Sequence, residues 1–247
     1  LRCFWPRRPR ASPRRRTAGC CRDGRSRARR EASPAATWTG PAATLSLPAT
    51  VRCTTPTREQ IQIPGRGTAR VIGLVPGQII TEDLRFEVDA AALPDRERDL
   101  LKIVVCNRYG RQKIGTGIVH GFGIKEGAIA ASVSHDAHNI IATGAGDAEI
   151  LAAIAEVIRV HGGMAAVNGS EVTVLPLDCA GLMSTLPARD VVERLDALRE
   201  ATGKTGGIAE PFMYLSFLAL TVIPALRITD HGLFDAVAFR DVPVFMG

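Results

Sequence analysis

The chain has 247 residues, of which 46% are hydrophobic and 23% are charged, proportions that are ordinary for a globular protein. This composition excludes collagen, a coiled coil and disorder over the whole length, and the length allows one large domain or two small ones. The longest apolar stretch, 211–226, contains Ser216, Thr221 and Pro224 and is shorter than the roughly 20 residues of a spanning helix, so we expect no membrane span.

The formal net charge of +6 is distributed unevenly along the chain. Residues 1–50 hold twelve Arg, no Lys and two acids, a charge of +10, whereas residues 51–247 hold 19 bases and 23 acids, a charge of −4. No apolar periodicity is found in the first segment. We therefore expect residues 1–55 to form a disordered arm rich in Arg, Pro and Ala.

Two interpretations of this arm are open. A basic tail can neutralise phosphates and bind nucleic acid. Alternatively, a segment rich in Arg, Pro, Ala, Gly, Cys and Trp but without Lys or Ile is typical of GC-rich DNA translated in a non-native frame, and the chain begins at Leu1. The second interpretation is favoured, and nucleic acid is not the expected partner because the acidic remainder has no basic stripe or aromatic platform.

The cysteine pattern favours a reducing compartment. The six cysteines have no CxxC spacing and no paired framework; they are Cys3, Cys20, Cys21, Cys53, Cys106 and Cys179. The basic N-terminus lacks the apolar region of a secretory signal. We expect a cytoplasmic protein.

From about residue 57 the hydrophobic pattern predicts short strands separated by glycine-containing turns. The predicted strands are 71–75, 79–80, 86–88, 100–106, 114–122 and 128–133. The fourth is an apolar run interrupted only by Lys102, which is typical of a central strand. A turn is predicted at Pro76-Gly77.

Two amphipathic helices follow, at 147–160 and 188–201. Asp147 is the predicted N-cap of the first helix, and Gly203 the predicted end of the second. Asp190 and Arg194 are spaced to form a favourable i,i+4 ion pair on the second helix.

A β-hairpin is predicted between the helices, at 163–175. Its Asn168-Gly169 pair predicts a type I′ turn, in which both central residues have positive φ. The last apolar segment, 211–226, is compatible with helix or strand.

These elements predict a mixed α/β (α+β) domain, with a β-rich start and two amphipathic helices flanking a β-hairpin. We divide the chain into the arm at 1–55, short strands and a linker of a small β-domain at 56–92, and a C-terminal domain at 93–247.

One short segment, Ser134-His135-Asp136-Ala137-His138-Asn139, concentrates side chains that can carry chemistry. Imidazole and carboxylate groups are common ligands of zinc, manganese and iron. His135 and His138 share a face only if they lie in a turn or helix start, so a metal or catalytic site requires a turn after strand 128–133. The alternative is that His135 and Asp136 cap the next element through side-chain hydrogen bonds.

Other candidate motifs are weaker. His120 is expected to be a packed or surface residue, His161 to complement a helix C-terminus, and His231 to lie in a polar turn without a partner. The sequence contains no GxGxxG, GxxxxGK[ST], GxSxG or HExxH motif.

Four segments together resemble bacterial adenine deaminases, members of the amidohydrolase superfamily. They are VIGLVPGQIIT at 71–81, GIVHGFGIKEGAIAASVSHDAHNII at 117–141, AGLMS at 180–184, and the stretch 211–226. The resemblance extends in order over residues 57–243, and residues 1–55 take no part in it.

The resemblance implies a hydrolase of purine catabolism and salvage that converts adenine and water to hypoxanthine and ammonia. In that family a barrel domain holds manganese or iron, and a metal-activated water attacks C6 of adenine. The barrel would precede the matched region, and no HxH motif of its metal site occurs in this sequence. The chain thus resembles a C-terminal domain only, and we expect it to be inactive without a barrel.

The resemblance also bears on site residues and partners. His135, Asp136, His138 and Asn139 are the candidates to face the barrel or hold an accessory metal, and secondary candidates are Ser134, Met183 and Ser184. The expected partners are adenine and either a barrel domain or further copies of the chain. The alternative function is a non-catalytic binding or oligomerisation module.

Overall fold

The computed structural model describes residues 49–246. The expectations for residues 1–48, namely disorder, a non-native origin and nucleic-acid binding, lie outside the described residues. Within residues 49–246 no helix combines the length and apolar character needed to cross a membrane.

The described chain contains eleven strands and three α-helices, so the predicted mixed α+β class is confirmed. The strands are β1 Arg66–Leu74, β2 Thr81–Asp89, β3 Leu101–Cys106, β4 Ile114–His120, β5 Ala128–Ala131, β6 Ile140–Gly144, β7 Gly163–Asn168, β8 Glu171–Pro176, β9 Leu226–Thr229, β10 Gly232–Asp235 and β11 Arg240–Asp241. The helices are α1 Asp147–Arg159, α2 Ala188–Lys204 and α3 Pro211–Phe217.

Eight strands form one mixed sheet in the order β2-β1-β4-β3-β6-β5-β7-β8. The β1–β4 pair is parallel and all other neighbours are antiparallel. A second, three-stranded sheet has the order β11-β10-β9.

Strand β3 lies inside the sheet, and every one of its residues is buried. Alternate side chains point to opposite faces. Leu101, Ile103 and Val105 join a core formed with α2, α3, β9 and β10, whereas Val104 and Cys106 pack in a second core against α1. The near-continuous apolar run that predicted a central strand is therefore a consequence of burial on both faces.

The one charged residue of β3, Lys102, is neutralised by the first residue of α1. Its ammonium group donates to the two carboxylate oxygens of Asp147 at 2.8 and 3.0 Å, and to the Gln62 side-chain oxygen at 3.3 Å. Burial opposes ionisation of Asp147, but the hydrogen bonds from Lys102 and Gln62 prevail and hold the pKa of this carboxyl below its ordinary value. Asp147 is therefore the first residue of α1 and the ion-pair partner of Lys102. The N-cap of the helix is Gly146, and not Asp147 as predicted.

Helix α2 differs from its prediction at its end and in its ion pairs. It continues through Gly203 to Lys204, so this glycine does not end it. Arg194 donates to the Val174 carbonyl oxygen of β8 at 3.3 Å rather than pairing with Asp190 as predicted. Tertiary contact with the neighbouring strand thus decides where this side chain lies.

The predicted hairpin is confirmed as β7–β8, but its turn is shifted by one residue. Asn168 pairs with Glu171, so Gly169 and Ser170 are the central residues, and of these only Gly169 has a positive φ, +57°. Glycine at the first central position is typical of a type II′ turn, not the predicted type I′.

Two further segments differ from their predictions. Residues 79–80 are not a strand, and both isoleucines are exposed. The segment 211–226 is helical only as α3, and β9 starts at its last residue, Leu226.

The predicted domain divisions fall inside one folded unit. Strand β1 joins the main sheet by parallel pairing with β4 at Ile72–Val119, so residues 56–92 are linked to the C-terminal domain by strand pairing. At the other division, Val51 is buried and the Arg52 N–H donates to the Arg108 carbonyl oxygen at 2.7 Å. The packed fold therefore includes residues that we had assigned to the arm.

The small sheet can pack on β4 because β4 carries glycine at two positions. A Cβ atom on Gly115 would lie 1.9 Å from the Thr229 carbonyl oxygen, and one on Gly117 would lie 2.7 Å from the Leu233 side chain. A side chain at position 115 would require the backbone of the β9–β10 hairpin to shift, whereas one at position 117 would require the Leu233 side chain to move.

We expect Lys102→Met to lower the free energy of unfolding by about 3–5 kcal/mol, because it leaves the Asp147 carboxylate buried without its partner. Urea denaturation at pH 7 measures the change. The exposed Lys204 provides the control, and Lys204→Met should change stability by no more than about 0.5 kcal/mol. Equal effects of the two variants would contradict the structural role of the pair.

We expect Gly115→Ala to destabilise the fold by about 1–3 kcal/mol through the clash with β9. The matched change Gly203→Ala should stabilise it by about 0.4–1 kcal/mol, because that helical glycine has open space around its Cα. Thermal unfolding of both variants tests this difference, and a loss of stability in Gly203→Ala alone would contradict the packing described.

Candidate functional site

The 134–139 segment is a loop at one end of the main sheet. Strand β5 ends at Ala131 and β6 begins at Ile140, which pairs with Cys106 at the end of β3. The loop therefore lies beside the residues that follow β3. We call residues 134–139 the β5–β6 loop.

The β5–β6 loop is held as a turn by backbone contacts. The His138 N–H donates to the Ser134 carbonyl oxygen at 2.6 Å, and the His135 N–H donates to the Ser216 carbonyl oxygen of α3 at 2.9 Å. Within the described residues, neither the His135 nor the Asp136 side chain makes a hydrogen bond. The turn required for a shared imidazole face is therefore present, and side-chain capping by His135 and Asp136 is not what forms it.

The two imidazoles are brought together, but they do not form a complete metal site. Their ring centroids are 5.4 Å apart in an edge-to-face arrangement, and the His135 ring also packs 4.9 Å from that of Phe217. In the part of the chain that the structure describes, no three His, Cys, Asp or Glu side chains converge as a metal ion requires. These residues alone do not fit a resident manganese or iron ion.

The environment of His138 favours its neutral form. Partial burial, and then the neighbouring His135 and Arg108, lower the pKa of His138 below its ordinary value of 6.5, while Asp136 opposes this shift. A neutral imidazole can accept a proton or a hydrogen bond near neutral pH.

Arg108, which sequence analysis did not single out, organises the surroundings of the loop. It is buried, and its guanidinium donates to the Thr50 hydroxyl at 3.1 Å, the Ala180 carbonyl oxygen at 2.9 Å and the Tyr109 hydroxyl at 3.2 Å. The Tyr109 hydroxyl in turn donates to the Ala137 carbonyl oxygen of the loop at 2.7 Å. In the sequence, the polar residues Asn107 and Arg108 directly follow the apolar run of β3. This change from apolar to polar residues is the pattern that could have indicated a site at this end of the strand.

A cavity of about 190 Å³ lies between the β5–β6 loop, the end of β3, the segment after α3 and the β9–β10 turn. We call it the strand-end pocket; its polar lining consists of Ser134, Asp136, Asn139, Thr221, Thr229 and Asp230. Ser134 and Asn139 are at least nine-tenths buried, and Ser134 Oγ and Asn139 Oδ1 have no hydrogen-bond partner.

A second, wider opening adjoins the strand-end pocket and shares Ala137, Asn139 and Asp230 with it. Here Asn107 donates to Asp230 at 2.8 Å. His231, expected to have no partner, lies 3.0 Å from the Lys113 ammonium group, so that expectation is wrong.

The remaining candidates lie apart from the pocket lining. Met183 is 61% exposed, and the Ser184 hydroxyl accepts from the Leu186 N–H at 3.3 Å. The turn that contains Met183 and Ser184 is joined to the residue that follows β5, because the Ser132 hydroxyl donates to the Gly181 carbonyl oxygen at 2.6 Å. His120 stacks on Phe86, as expected for a packed residue.

Comparison with known proteins identifies the class of domain. The adenine deaminase C-terminal domain model matches residues 78–240, which is most of the chain and includes the whole strand-end pocket. The chain belongs to the adenine deaminase C-terminal domain family.

Proteins named adenine deaminase are similar over most of the chain. That of Methanoregula boonei is 69% identical over 212 residues, which is 86% of this chain and 38% of that protein. This alignment is longer than residues 56–247 and therefore includes part of residues 1–55, so the expectation that residues 1–55 take no part in the resemblance is wrong. That of Methanoculleus marisnigri is 62% identical over 185 residues, and that of Dehalococcoides mccartyi 45% identical over 192 residues; each alignment covers 75% of this chain. The chain spans 34–38% of the length of these three relatives.

We expect the pKa of His138, followed by NMR of the imidazole protons, to move in opposite directions in two variants. His135→Gln should raise it towards 6.5 by removing a repulsive neighbour, and Asp136→Asn should lower it further. His161→Gln, at the end of α1, is the control and should leave it unchanged.

The same shift has a consequence for stability. The unfolded chain binds the proton more readily than the folded one, so the contribution of His138 to stability is present above about pH 6.5 and is lost as pH falls towards the folded pKa. If His135→Gln and Asp136→Asn shifted the pKa of His138 in the same direction, this result would contradict the described environment of His138.

Proposed function

We propose that this chain is the C-terminal domain of an adenine deaminase and supports the hydrolysis of adenine to hypoxanthine and ammonia when a catalytic barrel is supplied. The observation that carries the proposal is the 69% identity to the Methanoregula boonei adenine deaminase over most of this chain. The β5–β6 loop lies within residues 78–240, which match the family model.

The metal chemistry is assigned to the barrel and not to this domain. Two imidazoles without a third converging ligand do not hold manganese or iron by themselves. In the proposed enzyme the metal supplies a water of lowered pKa, and the β5–β6 loop contributes a neutral His138 and polar contacts near the barrel.

Exposed apolar side chains support dependence on a covering domain. Ile79, Ile80, Val222, Val237 and Phe239 are between 40% and 75% exposed. Backbone hydrogen bonds join their three segments, from Ala225 to Thr81 at 3.1 Å and from Ala236 to Ala225 at 2.8 Å. Exposed apolar side chains on adjoining segments are typical of an interface.

The same surface would serve a non-catalytic module that assembles with itself or another protein. The two functions differ in whether the domain restores turnover, so they can be separated by a chimera.

The test replaces the region of the Methanoregula boonei adenine deaminase that aligns with this chain by the 212 aligned residues of this chain. We expect the purified chimera, supplied with manganese or ferrous iron, to form hypoxanthine from adenine, and the 247-residue chain alone to give no turnover above a metal-only blank. In the chimera, His135→Ala with His138→Ala should lower kcat/KM at least tenfold, and His161→Ala is the control.

A folded, metal-loaded chimera without turnover would favour the assembly module and contradict the proposal. Turnover by the isolated chain would contradict the assignment of the chemistry to the barrel.

A further inference from the structure

We propose that Cys53 and Cys106 form a redox-active dithiol, which a small disulfide oxidant such as oxidised glutathione converts reversibly to an intramolecular disulfide. The two cysteines are far apart in the sequence, and no spacing motif pairs them. The fold brings them together at the end of β3. This inference does not depend on the proposed function.

The first argument is the path of the chain before β1. The Arg52 N–H donates to the Arg108 carbonyl oxygen, just beyond the end of β3, at 2.7 Å. Further along the chain, the Gln62 side-chain oxygen accepts from Lys102, near the start of β3, at 3.3 Å. The segment therefore runs alongside β3 in the opposite direction, which places Cys53 near the end of this strand.

The second argument is that the two side chains share one core and one cavity. Cys106 is 2% exposed in the core that packs against α1, and the partly buried Cys53 packs against the same core. Both side chains also line one cavity of about 30 Å³. Free volume beside both thiols lets each side chain adopt the rotamer that a disulfide requires.

The surroundings of the pair decide which thiol reacts first. Burial, and then the neighbouring Cys53, raise the pKa of Cys106 to about 12. Burial also raises the pKa of Cys53, but a backbone hydrogen bond and Arg108 oppose this shift. Because Cys53 is also the more exposed of the two, it is the thiol that meets an oxidant first.

The reaction is a two-step thiol–disulfide exchange. The Cys53 thiolate attacks one sulfur of oxidised glutathione, whose S–S bond breaks and releases one glutathione thiolate. The Cys106 thiolate then attacks the Cys53 sulfur of this mixed disulfide and expels the second glutathione thiolate. The two protons lost by the cysteines pass to the two leaving thiolates, and the two electrons lost by the protein reduce the oxidant to two thiols.

The disulfide fastens the segment before β1 to the end of β3. It closes a loop from position 53 to position 106, and a cross-link over a long loop stabilises the folded state. The hydrogen bond between Arg52 and Arg108 lies directly beside this cross-link. Oxidation therefore reduces local opening of that hydrogen bond.

The test uses the full chain with Cys3→Ser, Cys20→Ser and Cys21→Ser, treated with oxidised glutathione and digested by trypsin without reduction. Cleavage after Arg and Lys yields the peptides 53–58 and 103–108, which contain one cysteine each. We expect mass spectrometry to find these two peptides joined, with a mass two hydrogens below their sum. Dithiothreitol should separate them.

Two variants and two further measurements define the effect. Oxidation should raise the Tm by at least about 5 °C and slow hydrogen exchange of the Arg52 amide at least tenfold. Cys53→Ala should abolish both effects. Cys179→Ala is the control and should leave both unchanged, because Cys179 lies in the turn at 179–183 and does not line the cavity.

Four outcomes would each overturn the proposal. They are unreacted thiols at both positions, glutathione that stays attached to Cys53, a cross-link of either cysteine to Cys179, and a fall in Tm on oxidation. None of these measurements involves turnover. The result is therefore independent of whether the adenine deaminase chimera is active.

Discussion

Burial of β3 on both faces is the constraint on which the rest of the fold depends. A strand with solvent on neither side needs a covering layer above and below the sheet. Helix α1 supplies one layer, and α2, α3 and the small sheet supply the other. Lys102 can occupy this strand only because α1 begins with Asp147 beside it, so the ion pair also fixes where the helix starts relative to the sheet.

The site follows from the same antiparallel arrangement. Where β3 and β5 end, β4 and β6 begin, so their connections meet at one end of the sheet. The β5–β6 loop lies in this position, between Arg108 on one side and α3 on the other. Polar groups that are scattered over more than 100 residues of sequence, from Asn107 to Asp230, thereby surround two adjoining openings.

Local patterns predicted the strands and helices well where burial follows a regular period. The apolar run of β3, the periodic face of α1 and the hairpin at β7–β8 were all identified from sequence. Residues 79–80 were misassigned because an apolar pair predicts burial, while these side chains lie on the exposed surface next to the 222–225 segment. The turn at Gly169 was shifted because strand register, which sequence spacing does not determine, selects the central residues.

The sequence by itself determined the α+β class, the concentration of polar side chains at 134–139, and the resemblance to adenine deaminases, because each depends on residues close together in the chain. Only the tertiary structure decided that Lys102 pairs with Asp147, that burial, with His135 and Arg108 nearby, lowers the pKa of His138, and that Ser134 and Asn139 line one pocket with Asp230. These contacts join residues from separate strands and loops, and their partners are selected by strand order and register in the folded sheet, which no local pattern encodes.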